Sequence, residues 1–264
     1  MIRNRKDILI LCLAAVLVLP LEKSASADGN QVLFSGVLSR HVSQGKIDFT
    51  NLCRDGDLNL YTGQLNDIDP QLITDEKNRF AFWLNAYNAY SLKAICSKYP
   101  IKSVNDLNFG GLIISVVLKK SVWDKPFVMV GHKAYTLRQV DHEILRPTFK
   151  DPRIQFAIAC GAVGCAPSRS EAYEGARLDT QLEDQTRRFI NDPRENSFDK
   201  ATMTAYLSPL FNWSRKDFGK DEGEVLLFIA SYLPADLASR IRQNLPAWKI
   251  KYNRYDLSLN DAKN

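Results

Sequence analysis

Beyond its first 27 residues the chain has no stretch long and apolar enough to cross a bilayer, which takes about 20 consecutive apolar residues. It has no basic stripe interleaved with aromatics. Its 35 lysines and arginines are interspersed with 30 acidic residues for a net charge of +5, so nucleic acid is a poor candidate partner. There is no internal repeat and no low-complexity tract. There is no C-x-x-C pair, which weakens the case for a thioredoxin-like oxidant. A second short-spaced Cys/His pair, as closed zinc sites use, is also missing. No cofactor is expected.

What is present begins with an export-type leader. Arg3, Arg5 and Lys6 form a positive start, 8–21 is apolar, and Ala25-Ser26-Ala27 supplies small residues before Asp28. This is the order of a secretory signal peptide, and the h-region continues past Cys12 rather than closing on it. Residues 1–27 are read as a signal peptide and 28–44 as a helical lead-in. The expected destination is outside the cytoplasm, the periplasm in preference to extracellular release. Four of the five cysteines, Cys53, Cys96, Cys160 and Cys165, remain after cleavage. Disulfides persist in such a compartment, and four cysteines allow three pairings. Cys53–Cys96 as a staple is the simplest, leaving the nearby pair bonded to each other or free.

The hydrophobic pattern predicts helices over 30–45, 58–65, 74–95, 136–146, 178–190, 224–232 and 235–245. A short helix is expected after Ser208-Pro209, and 48–54 reads as a turn into a helix. Strands are predicted at 116–118 and 127–130, within 196–207 and over 248–257. A loop opens at Gly110-Gly111, and Gly131-His132-Lys133 is a hairpin turn that exposes His132. The apolar run 154–159 suits a buried central strand, and Arg146-Pro147 should end the helix before it. The sum is an α+β fold: several helices around a small mixed or antiparallel sheet, in a single domain.

The richest stretch is 151–169, DPRIQFAIACGAVGCAPSR, with two thiols in a glycine-bearing turn. Its residue types allow four chemistries. A nucleophile, Cys165 or Cys160, needs a base and a group to orient it. His142 is the candidate base, Asn85 or Asn88 the orienter or oxyanion donor. The same two thiols can instead form a redox or structural disulfide, or join His142 on a metal. Alternatively the chain is a binding module, with Trp83, Tyr87, Tyr90 and Trp213 lining a cleft for a small molecule or peptide. Arg146, Arg153 and Glu143 are the candidate ligand-binding charges, although an ion pair suits the two arginines better. Asn85 and Asn88 lie one helical turn apart on an apolar helix, where a buried amide must be hydrogen-bonded. A structural tie is the plainer role for them.

Several motifs occur in order: FWLNAYNA at 82–89, DHEILR at 141–146, Asp151-Pro152-Arg153, Cys160-Gly161 with Gly164-Cys165, Ala172-Tyr173, Leu207-Ser208, Phe211-Asn212-Trp213, Asp217-Phe218 and YDLSLN at 255–260. Together they resemble the family known as domain of unknown function 547, over about 45–262. The resemblance implies no settled activity. Bacterial members are often exported, and some eukaryotic relatives carry a glutaredoxin-like domain, which hints at thiol chemistry. Gln155 stands where the family often has His, and Ala166 where it often has Pro. The first difference leaves His142 as the base candidate in this chain.

Overall fold

A long, almost wholly buried helix organises the molecule. The computed structural model describes residues 27–108 and 121–263. The signal peptide expected over 1–27, except Ala27, the loop expected at Gly110-Gly111 and the strand expected at 116–118 lie outside them. Helix α1 (Ala27–His41) leads into a two-stranded hairpin, β1 (Val42–Ser43) and β2 (Lys46–Ile47), then α2 (Phe49–Leu52) and α3 (Gly56–Asn66). The central helix α4 (Glu76–Cys96) starts where the Asp75 side chain accepts the Asn78 N–H at 2.7 Å, a standard N-cap. It buries all sides between Phe80 and Leu92, the pattern of a helix enclosed by protein. Around it pack α1, α3 and the hairpin of β3 (Val128–Val130) and β4 (Lys133–Tyr135). Cys53, which caps α2, is bonded to Cys96 at the end of α4, the expected staple.

A second core lies on the C-terminal side. The helix Leu178–Ile190, the three-stranded sheet β5 (Ser197–Asp199), β6 (Thr204–Leu207) and β7 (Lys249–Tyr252), and the helices Glu222–Ala230 and Ala235–Gln243 enclose it. The sheet is mixed: β5 and β6 are antiparallel, β6 and β7 parallel. Phe156 is its hub, 5.0 Å from the Phe189 ring and 5.6 Å from Phe218. The α+β expectation therefore holds.

The helix expected over 30–45 ends at His41, where the β1–β2 hairpin begins, and the strand expected over 248–257 ends at Tyr252. Two further differences lie beside the cysteines. The run at 154–159 is no strand. Ile154–Ala157 is one helical turn, after which the chain is extended. Asp151 starts that turn by accepting the Arg153 N–H at 2.9 Å. The run is apolar throughout because it crosses the seam between the cores, Ile154 and Ala157 facing one and Phe156 the other. A short apolar run with no periodicity cannot distinguish strand from buried helix. The helix expected to end at Arg146-Pro147 instead continues to Phe149. Residues Val140–Leu145 are wound as a π-helical turn, and the Arg146 N–H reaches back five residues to the Asp141 carbonyl. Pro147, which has no N–H to give, falls where the wide turn reverts to α-helix.

Candidate functional site: a disulfide under a buried tyrosine

The cysteine turn is held by side chains of α4 and by the C-terminal tail. Asn88 donates to the Ala157 carbonyl at 3.0 Å and accepts the Ala159 N–H at 2.7 Å, as a neighbouring strand would. Ser91 donates to the Ala159 carbonyl at 2.6 Å. Asn85 does the same for Tyr173, both bonds at 2.8 Å. Both amides are thus spent on backbone, the structural tie that their buried positions suggested. On the other side the tail accepts the Val163 and Gly164 N–H groups through Ser258 and Asp256, and the Asn260 N–H returns to the Gly161 carbonyl at 2.8 Å. Gly161 has φ +76°, and a Cβ there would strike the Ile95 side chain. A Cβ on Gly164 would sit 3.0 Å from the Tyr255 ring. These two glycines let the turn take its path and let Tyr255 approach.

Cys160 and Cys165 are bonded to each other. Cys165 is buried and Cys160 partly exposed. The Tyr255 hydroxyl lies 3.3 Å from the Cys160 sulfur and 3.1 Å from the Cys165 sulfur. A disulfide has no hydrogen to give, so the tyrosine is the donor. Burial, helped by Glu195 and Asp256, pushes the Tyr255 pKa well above its ordinary value and keeps the donor proton in place. Trp213, 62% exposed, leans on the Tyr255 ring with centroids 4.9 Å apart.

Beside this lies a saturated polar cluster. Arg146 donates to Asp141 at 2.8 Å, to Asp217 at 2.9 Å and to Gln155 at 3.1 Å. Gln155 donates to Asp217 at 2.8 Å and accepts from Ser214 at 2.9 Å. It joins the 137–149 helix to the 210–218 segment and, as an amide, carries no titrating proton. Arg153 is paired with Asp151 and Asp179, so both arginines close ion pairs as expected. Burial first, then Asp141, pushes the Tyr87 pKa up. Trp83, Tyr87 and Tyr90 are core residues, whereas Trp213 is at the surface.

His142 faces solvent, its side chain 48% exposed and its Nε2 3.7 Å from Asp141. Glu143 is exposed as well. The structure therefore gathers Cys160, Cys165 and Asn88 at one place and shows no bonded link from His142 to the sulfurs among the described residues. With the sulfurs bonded to each other, neither offers the thiolate that a zinc ligand must be.

Two residues that sequence reasoning gave no role also stand here. Tyr255 sits in the YDLSLN motif, the one signal that could have marked it. Glu195 had no signal. It is half-buried, and burial first, then Asp192, raises its carboxyl to about 6 from 4.5. A carboxyl raised in the folded state stabilises fully below its unfolded value, and that contribution is lost as pH rises through the folded value. A shift of this size corresponds to about 2 kcal/mol for a shielded group, and half-exposure brings it to about 1 kcal/mol. Glu195→Gln is therefore expected to raise the melting temperature by a few degrees at pH 8 and to leave it unchanged at pH 4. Thermal melts at the two pH values check this, and an equal effect at both would contradict it.

The fold and site thus define an α+β protein whose two cores meet at a disulfide-bonded turn. Residues 71–190 match the family described as "Protein of unknown function, DUF547". This segment, which holds α4 and the cysteine turn, supports assignment to that family. No curated relative and no solved structure matches it.

Proposed function

We propose that the chain is an exported thiol–disulfide exchange protein whose reactive centre is Cys160–Cys165. The observation that carries this reading is the Tyr255 hydroxyl donating to both sulfurs. In exchange, a substrate thiolate attacks the more exposed Cys160 sulfur. The Cys160–Cys165 bond breaks, and Cys165 departs as a thiolate. Tyr255, 3.1 Å away, stabilises that new charge without giving up its proton. A second substrate thiolate then attacks the substrate sulfur of the mixed disulfide, releasing a substrate disulfide and the Cys160 thiolate. Two substrate thiols are oxidised and the protein pair is reduced, with the two cysteine protons drawn from solvent. Exchange rates depend on access to the attacked sulfur and on the leaving thiol, and Tyr255 acts on the second. The leader-like N-terminus and a second disulfide at Cys53–Cys96 support an oxidising compartment.

The test is a titration of the folded protein with dithiothreitol, trapped by alkylation and mapped by mass spectrometry. Cys160–Cys165 should open first with the circular dichroism unchanged, while Cys53–Cys96 stays closed. Opening of both only as the protein unfolds would sink the reading. An N-terminus at Asp28 in the periplasmic fraction tests the export.

A further inference from the structure

A groove on the outer side of α4, away from the cysteines, has an apolar floor and a basic rim. Tyr90, Ala94, Val122 and Phe127 form the floor, and Lys93, Lys98 and Lys125 the rim, around about 380 Å³. Tyr90, Lys93 and Ala94 share one face of α4 by helical spacing, Lys98 follows in the turn just past its end, and the Tyr90 and Phe127 rings meet edge to face at 6.1 Å. Among the described residues no acidic residue lines it. Asp124, the acid next to Lys125 in sequence, is taken by Arg138. Lys93 has only neutral partners, the Thr62 hydroxyl at 3.0 Å and the face of Tyr90 at 5.9 Å, and burial pushes its pKa down. Lys98 donates to the Leu107 carbonyl. Among the described residues the Lys125 side chain makes no hydrogen bond or ion pair, its bonds being those of its backbone to Val122 and Phe127.

Three cations around an apolar trough, without a neutralising carboxylate, complement a ligand with one anionic head and one hydrocarbon tail. We propose that this groove binds a single long-chain carboxylate, a free fatty acid, with its head among Lys93, Lys98 and Lys125 and its chain along Ala94, Val122 and Phe127. The volume lies near the lower end of small-molecule sites. It suits one acyl chain rather than the two of a membrane phospholipid. Desolvated Lys93 gains a counter-ion on binding, so the head group contributes as well as the tail.

Isothermal titration of the intact protein with dodecanoate below its micellar concentration tests this. One saturable site per chain is expected. Dodecanol, with the same tail and no charge, should bind at least tenfold more weakly. The double variant Lys93→Met, Lys125→Met should lose at least tenfold in dodecanoate affinity, and Ala94→Trp, which fills the floor, should abolish binding. Thermal melts establish that both variants are folded, and dodecanol provides the same discrimination on the unaltered chain if either is not. Absence of saturable binding would overturn the proposal, as would equal affinity for dodecanol or unchanged affinity in the folded double variant. So would binding confined to anionic phospholipid vesicles.

Discussion

Asn85→Ala is expected to lower stability by about 4 kcal/mol, since it strips two buried backbone groups of their partners at about 1–3 kcal/mol each. The Tyr173 N–H and C=O both bond to this amide, and Asn85 and Tyr173 are buried. Water cannot replace the lost partner without opening the seam. For a domain of this size the melting temperature should fall by roughly 10 °C. Asn88→Ala should cost less, about 2 kcal/mol, because one of its backbone partners, Ala159, is partly exposed and water can reach it. It should also loosen the segment leading into Cys160. Thermal melts followed by circular dichroism measure both. A change below about 1 kcal/mol for Asn85→Ala would mean that its amide is not committed to the fold, and would return it to candidacy as an oxyanion donor.

The two disulfides should differ in what they contribute. Cys53 and Cys96 are 43 residues apart and Cys160 and Cys165 only five. The chain-entropy relation then assigns about 4 kcal/mol to the first and about 2 kcal/mol to the second. The double variant Cys53→Ala, Cys96→Ala should therefore lose roughly twice as much stability in denaturant as Cys160→Ala, Cys165→Ala. The long closure ties α2 to the end of α4, whereas the short one closes a turn already held by Asn88, Ser91 and the tail. A pair that contributes little to the fold can open and close without unfolding it, which thiol exchange requires. The opposite order would make Cys160–Cys165 the structural bond and remove the basis for a reactive role.

Elements with strong local signals were legible in the sequence. The helix Leu178–Ile190 has an apolar stripe of 3.6 periodicity, and its bounds are those expected. The hairpin turn at Gly131-His132 and the helix N-cap at Thr136 follow from residue types at fixed offsets. Cys53–Cys96 is the simplest of the three pairings by sequence separation. The run at 154–159 suits a strand by its sequence but opens with a helical turn, because its burial comes from two cores meeting, which no local periodicity encodes. The π-turn at Val140–Leu145 likewise has no composition signal, so Pro147 read as a stop. Within the site, Cys160, Cys165 and Asn88 were legible as residue types. Tyr255 and Glu195 were not, because their positions depend on contacts with residues far away in the chain. The Tyr255 hydroxyl meets sulfurs 95 and 90 positions away. Such contacts form only once the tail has docked against the cysteine turn.

The role given to Tyr255 is the centre of the account, and one kinetic comparison tests it. The rate at which dithiothreitol opens Cys160–Cys165 is measured under native conditions in the unaltered protein and in Tyr255→Phe. A hydrogen bond to a charged sulfur contributes about 1.5–3 kcal/mol, so removal of the hydroxyl should slow opening at least tenfold. The rate at Cys53–Cys96, which Tyr255 does not touch, should stay the same. An unchanged or faster rate at Cys160–Cys165 in a folded Tyr255→Phe protein would contradict the account and leave the tyrosine as packing alone.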